Sequence, residues 1–218
     1  MRMRLKKWAR PELEACPFYI RQPEEYRGRW AEAFRREAPL ELELGCGKGV
    51  STALMALENP GVNLVAVDIN SSVLGVAKRN AEAAFADRRA VDNLKLMNYE
   101  IELISRVFAP EDAVRRIYIS FPNPWTQRHR QEKHRLTHTR LLNIYRGFMA
   151  DGGEIWFKTD NDELFEASLS YFPQAGFEIK ELTRDLHAEA SHPNYISEHE
   201  KLFSSQGIPI KALIAVKR

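Results

Sequence analysis

A glutamate and three alternate glycines stand together in Glu43-Leu44-Gly45-Cys46-Gly47-Lys48-Gly49, and an aspartate, Asp68, follows 23 residues after Gly45. Glycines so spaced let the chain turn sharply and let a ligand approach the backbone closely. In nucleotide-binding sheets an acid about 20 residues further on holds the ribose hydroxyls. The expected chemistry is capture of a cofactor that carries a nucleoside. The glycine spacing is not the dinucleotide pattern G-x-G-x-x-G. A phosphate-binding P-loop lysine is also absent from its place. A second group lies in Ser120-Phe121-Pro122-Asn123-Pro124-Trp125. Two prolines fix the backbone around Asn123. Trp125 offers a flat face on which a base can stack. The next residues include Arg128, Arg130, Lys133, Arg135 and Arg140, with His129, His134 and His138, against Glu132 alone. Such a run can neutralise phosphates.

Short apolar runs and helical patterns alternate along the chain. Strands are expected at Leu40 to Leu44, Val62 to Val67, Leu94 to Met97, Arg116 to Phe121 and Glu154 to Lys158. Helices are expected at Val50 to Glu58, Ser72 to Phe85, Glu100 to Phe108 and Leu136 to Met149. That alternation implies an α/β fold with a mostly parallel sheet. Phe177 to Leu186 and Ile208 to Val216 read as two further strands that finish one edge antiparallel. The glycine motif then falls after the first strand and the Pro-Asn-Pro motif after the fourth, where ligands of open α/β sheets bind. An acid two places before the first glycine, in E-x-G-x-G-x-G, matches the form found in Rossmann methyltransferases. The expected cofactor is therefore S-adenosylmethionine. Glu43 would face its methionine ammonium, Asp68 its ribose and Glu100 its adenine.

The 218 residues suit one α/β domain, and no apolar run approaches the length of a membrane span. Net charge is only +2, but residues 1–36 hold ten Lys or Arg against five Glu. Two basic stretches on a near-neutral chain point to a polyanionic partner. We read residues 1–36 as a basic arm and first helix, ordered on the polyanion, and 37–218 as the catalytic domain. With two cysteines, Cys16 and Cys46, and no secretory leader pattern, a cytoplasmic protein is expected. No Cys/His/Asp group has metal-ligand spacing. His187 and His192 read as solvent- or RNA-facing, and Trp30 and Trp156 as core. The oligomeric state stays open, with a homodimer possible.

Several segments in order resemble the bacterial tRNA (guanine-N(7)-)-methyltransferase family over nearly the whole chain. They are Met1-Arg2-Met3-Arg4 with Trp8, the glycine motif, Phe121-Pro122-Asn123-Pro124-Trp125 with Lys133-His134-Arg135-Leu136, Phe157-Lys158-Thr159-Asp160-Asn161, and Ser197-Glu198-His199-Glu200 with Gly207-Ile208-Pro209-Ile210. The resemblance implies a class I fold and methylation of a guanine in the variable loop of tRNA. It gives Glu43, Gly45, Gly47, Asp68 and Glu100 to the cofactor. Trp125, Gln127, Asp160, Ser197, Glu198, His199 and Glu200 go to the target nucleotide. Asn123 takes the place of a family Asp treated as catalytic and lies next to the cofactor. Two other readings stand beside this one: a tRNA-binding paralogue with weak or no turnover, and an enzyme that methylates another base atom.

Overall fold

The computed structural model of the protein describes residues 5–189 and 194–218. Eight strands form one sheet: β1 (Tyr19–Ile20), β2 (Leu40–Leu44), β3 (Asn63–Asp68), β4 (Leu94–Asn98), β5 (Val114–Ser120), β6 (Met149–Thr159), β7 (Phe177–Thr183) and β8 (Lys211–Lys217). Their order is β1-β4-β3-β2-β5-β6-β8-β7. The strands run parallel except β8, which is antiparallel to both β6 and β7. The expected mostly parallel sheet with an antiparallel C-terminal edge is present.

The central strand β2 is buried along its whole length. Its Leu40, Leu42 and Leu44 face one core, while Glu41 and Glu43 point to the opposite face by the period of two. Helices α1 (Ala9–Glu14), α3 (Val50–Glu58) and α4 (Ser71–Phe85) pack together, and α1 and α3 both contact α4. A short α2 (Trp30–Phe34) precedes β2. Helices α5 (Thr139–Arg146) and α6 (Asp162–Gln174) contact one another and put Leu141, Leu142, Tyr145, Leu164 and Phe165 into the first core. Among the described residues between β7 and β8 are the helices α7 (Leu186–Glu189) and α8 (Glu198–Ser205). No helix among the described residues is long and apolar enough to cross a membrane.

Several elements differ from the sequence reading. The expected helix at Glu100 to Phe108 is a single 3₁₀ stretch, Ile101–Arg106. Its first residue has no side-chain cap, and Val107, Phe108 and Ala109 leave the helix to be buried. Helix α5 is shorter than expected because His138 Nδ1 accepts from Arg140 N at 3.1 Å and starts it late. Met149 already belongs to β6, which pairs with Val114 and shifts register before Glu154. The sequence reading assigns no helix to α6, where Asn161 Oδ1 caps Leu164 N at 2.8 Å. Strand β1 is also unexpected, and it brings residues from before position 37 into the sheet.

From Lys6 onward the basic N-terminal segment lies against α4. Lys6 N donates to Ser72 Oγ at 2.9 Å, and the Arg79 guanidinium lies 3.6 Å over the Trp8 ring. Gly75 is what admits α1: a Cβ there would stand 2.5 Å from Ala9 Cβ. The resembling Met1 to Arg4, and His192, lie outside the described residues. Trp30 is core as expected, stacked on Phe108 with centroids 5.1 Å apart. Trp156 is not. It is half-buried, donates to Glu154 Oε2 at 2.8 Å, and lies 4.2 Å beneath the Arg116 guanidinium.

Candidate active site

The glycine motif makes the turn from β2 into α3. Gly45, Gly47 and Gly49 all have positive φ, at 77°, 57° and 66°. Their reasons differ. A Cβ on Gly49 would stand 2.6 Å from Ala77 Cβ, so this glycine lets α3 and α4 meet. Around Gly47 nothing lies within 4 Å of a Cβ position, so its backbone faces open space. Gly47 N donates to Asp68 Oδ2 at 3.0 Å and Asn70 N to Asp68 Oδ1 at 2.8 Å. These bonds tie the turn to the end of β3. Burial raises the Asp68 carboxyl above its ordinary range, against those two bonds.

Glu43 lies under the turn and is 2% exposed. Thr52 Oγ1 donates to its Oε2, and Ser51 supports it as well. Burial pushes its carboxyl up to about 7, with Lys158 and the two hydroxyls opposing and Asp68 adding to the rise. A buried carboxylate of this kind gains most from a cation placed against it.

Glu43, the glycine turn, Ser51, Ser120, Phe121, Ser197, Glu198 and His199 line one open cleft. The last motif thus closes over the glycine turn. Ser197 Oγ caps α8 by accepting from Glu200 N at 3.2 Å. Glu198 Oε2 meets Lys48 Nζ at 2.6 Å and spans the cleft. The His199 ring stacks near Phe121, centroids 6.2 Å apart. Glu200 does not reach the cleft. It is fully buried, with Lys158 Nζ at 2.6 Å, Asn194 Nδ2 at 2.5 Å and His187 Nε2 at 3.2 Å. Its expected place against the target is corrected to an anchor for the segment. His187 is exposed, as expected of a solvent-facing residue, and its Nε2 reaches Glu200 from the open side.

The loop after β5 is strained at both ends. Phe121 and Trp125 adopt φ of 52° and 48°, a left-handed backbone that bulky residues avoid. Such strain persists only where its surroundings enforce it, and it gathers at functional sites. Phe121 N is held by Lys158 O at 2.9 Å. Asn123 is exposed, and its Oδ1 accepts from Trp125 N at 3.1 Å, closing a small turn. Trp125 is half-buried against His134, with ring centroids 5.5 Å apart. Asn123 and Trp125 therefore sit beyond Phe121, outside the lining of the cleft.

The basic run divides. Arg128, Arg130 and Lys133 are exposed. Arg135 is 1% exposed and cannot meet a phosphate. Its guanidinium donates to Pro124 O at 2.7 Å, to Tyr171 OH at 3.3 Å and to Glu163 Oε1 at 2.5 Å. It holds the strained loop from behind. Arg140 is paired with Glu102 at 2.7 Å.

The remaining expected residues are scattered. Glu100 is exposed at the turn after β4, which adjoins Asp68 because Tyr99 N donates to Asp68 O at 3.2 Å. Exposed Ile69 is the residue after Asp68. Gln127 is exposed, and half-buried Asp160 follows β6 with its carbonyl accepting from Lys211 Nζ at 3.1 Å. Sequence reasoning missed Lys158 and Asn194 as site residues. A lysine directly after the apolar run Ile155-Trp156-Phe157 was the available signal for Lys158, since a buried cation must be paired.

Comparison with known proteins agrees with this geometry. The family model described as "Putative methyltransferase" matches residues 37–213. The tRNA (guanine-N(7)-)-methyltransferase of Clostridium beijerinckii is 55% identical, covering 100% of this chain and 99% of the relative. That of Clostridium perfringens is 53% identical over 100% of both. Among solved structures, the 16S rRNA methyltransferase KamB shares the fold, with a TM-score of 0.61 at 16% identity over 85% of this chain and 91% of that one. A variant of the 16S rRNA (adenine(1408)-N(1))-methyltransferase of Catenulisporales acidiphilia with cosubstrate SAM has a TM-score of 0.55 at 16% identity, covering 91% and 92%. These two likenesses concern the fold of the sheet and its helices. End-to-end identity above one half, on a chain that keeps the glycine turn and the closing segment together, decides the finer question: the chain belongs to the tRNA (guanine-N(7)-)-methyltransferase family.

Proposed function

We propose that this protein transfers a methyl group from S-adenosylmethionine to N7 of a guanine in the variable loop of tRNA, in the cytoplasm. The observation that carries the reading is the single cleft lined by the glycine turn, buried Glu43 and the segment Ser197 to His199, with the strained Phe121 to Trp125 loop at its edge.

The residues present fit the cofactor. Gly47 leaves its backbone open to a ligand, and Glu43 offers a desolvated carboxylate to an ammonium group. Asp68 has its oxygens fixed by Gly47 N and Asn70 N, which aims its remaining lone pairs at a ribose. Glu100 and Ile69 flank the adenine side in this reading. Ser197 and His199 close the cleft over the cofactor, and Asp160 stands toward the base. When bound, the cofactor supplies a methyl group on a sulfonium centre. Guanine N7 carries a free lone pair, so the N–CH₃ bond forms as the S–CH₃ bond breaks and its electron pair returns to sulfur. No proton must leave first. The protein's work is to hold N7 in line with the methyl, which can supply most of the rate. Trp125 presents a face for stacking, and Arg128, Gln127, Arg130 and Lys133 meet the RNA backbone.

Asn123 brings an oxygen already engaged by Trp125 N and no negative charge. The product base is cationic, so a carboxylate there would stabilise the transition state. Labelled methyl transfer to an unmodified tRNA transcript, with identification of the nucleoside, tests the reading. We expect 7-methylguanosine from the native chain and a faster rate from Asn123→Asp, bounded by roughly 10²–10³-fold. Label in a different nucleoside, or tRNA binding without transfer, would overturn it.

A further inference from the structure

We propose that Glu102 is a positioning residue that couples the cofactor side of the cleft to the loop that presents Trp125. The proposal rests on the methyltransferase reading and assigns a role to a residue outside the cleft.

Glu102 uses both carboxylate oxygens on the target side. Oε1 meets His134 Nδ1 at 2.5 Å, and Oε2 meets Arg140 at 2.7 Å. The same Arg140 guanidinium also donates to Lys133 O at 3.0 Å, so residues 133–140 are gripped at two points. The His134 ring packs against Trp125 at 5.5 Å and 46°. His134 first, and Arg140 after it, hold the Glu102 carboxyl below the ordinary range, so it is a full anion when it makes these contacts.

The other end of Glu102 leads to the cofactor. It stands in the 3₁₀ turn Ile101–Arg106, whose Ile104 is fully buried and whose Ile101 packs on the large core. That turn follows directly on Glu100. Asp68 O accepts from both Asn98 Nδ2, at 2.9 Å, and Tyr99 N, at 3.2 Å. A continuous path therefore runs from Asp68 through Tyr99 and Glu102 to His134 and Trp125. A half-exposed ion pair at an arbitrary surface place contributes little to stability. Glu102 differs because one end is fixed to the cofactor edge and the other holds the ring that supports Trp125. A ligand that orders the turn at Glu100 lowers the cost of ordering Trp125, and by linkage the reverse holds equally.

The test measures S-adenosylhomocysteine affinity for the full chain with and without an unmodified tRNA transcript. It uses the native chain, Glu102→Gln, Glu102→Ala and His134→Asn. We expect the transcript to tighten binding by roughly 5- to 150-fold in the native chain, the usual range of such coupling. The Glu102 variants should bring that factor to within about twofold of unity, Ala more completely than Gln, while affinity without tRNA stays within about threefold of native. His134→Asn should do the same from the other end. A merely structural role would move both affinities and the melting temperature and leave the factor intact. A native chain without coupling, or Glu102 variants that keep the native factor, would overturn the proposal. If neither ligand binds the native chain, the functional reading fails and this inference with it. If both bind and only the factor ignores Glu102, the coupling alone fails.

Discussion

On the side of the cleft proposed for the cofactor, the groups present are main-chain N–H groups and two carboxylates at the glycine turn. On the side proposed for the target they are aromatic rings and cations, carried by a loop with left-handed backbone at Phe121 and Trp125. The first arrangement is made at the ends of two adjacent strands: Gly47 N and Asn70 N meet Asp68, and the Thr52 hydroxyl meets Glu43. The second is held by groups outside its own loop, above all Arg135, Lys158 and Glu102. A side chain can change on the target side without disturbing the sheet, provided its holders remain. On the cofactor side the backbone conformation is itself the site, and the glycines and acids leave little to exchange.

The largest expected effect comes from removing a holder. Arg135→Ala leaves Pro124 O and Tyr171 OH without a partner and opens a cavity in the buried site. We expect a loss of about 3 kcal/mol in unfolding free energy from the unmade bonds and the void. Methyl transfer should fall further than tRNA affinity. Denaturant unfolding together with single-turnover transfer reads both. Undiminished transfer in a folded Arg135→Ala chain would show that the strained loop needs no support from behind.

Glu43 makes the matching test of the cofactor side. Its folded carboxyl is raised to about 7, so the folded chain binds an extra proton between the ordinary carboxylate range and that value. Stability from this source is complete below the unfolded value of 4.5 and is lost as pH rises through about 7. The span is on the order of 3 kcal/mol. Glu43→Gln should remove that slope in unfolding experiments run from pH 4 to 8. Binding of the cofactor's ammonium requires the ionised form, so native affinity for S-adenosylhomocysteine should rise with pH toward 7, and the variant should lack that rise. A pH-independent native affinity would separate Glu43 from the ammonium.

The two kinds of cation in the basic run can be told apart by salt. Arg130→Ala, at an exposed position, should reduce the slope of log affinity for tRNA against log salt by about 0.7 to 0.9. Arg135→Ala should leave that slope alone, because a buried guanidinium displaces no counterion. Equal changes in slope would mean that Arg135 emerges when RNA binds.

These contrasts also mark what the sequence could disclose. The glycine turn, β2, β3 and Asp68 were readable because they are local: alternate glycines, alternating burial and one fixed spacing specify them. The basic run was readable as charge but not as function. Nothing in Lys133-His134-Arg135 says which cation turns inward, since Tyr171 and Glu163, which make room for Arg135, lie more than 25 residues away. Glu200 was assigned to the target through the motif that contains it, and only the fold shows that Lys158 and Asn194 occupy it. The docking of Trp8 on α4 was equally hidden, because it depends on the missing side chain of Gly75 and on Arg79. Pairings across the sheet decide such roles, and periodicity carries no record of them.

The smallest expected effect lies where the two sides touch. Lys48 belongs to the glycine turn and Glu198 to the closing segment, and their ion pair at 2.6 Å is the direct bridge over the cleft. Both side chains are nearly half exposed, at 46% and 47%, so solvent screens the pair. Its contribution to stability should be below about 1 kcal/mol. Its position makes it informative despite that size. A strap that must part for the cofactor to enter slows both entry and escape, so Glu198→Gln should raise association and dissociation rates of S-adenosylhomocysteine together. The ratio of the two should change by less than about fivefold, in keeping with a weak, screened pair. Stopped-flow binding at low and high salt is the measurement, and high salt should make the native chain behave like the variant. Rates that move in opposite directions would instead make Glu198 a ligand-binding residue, and the closing segment would then belong to the cofactor side by contact as well as by place.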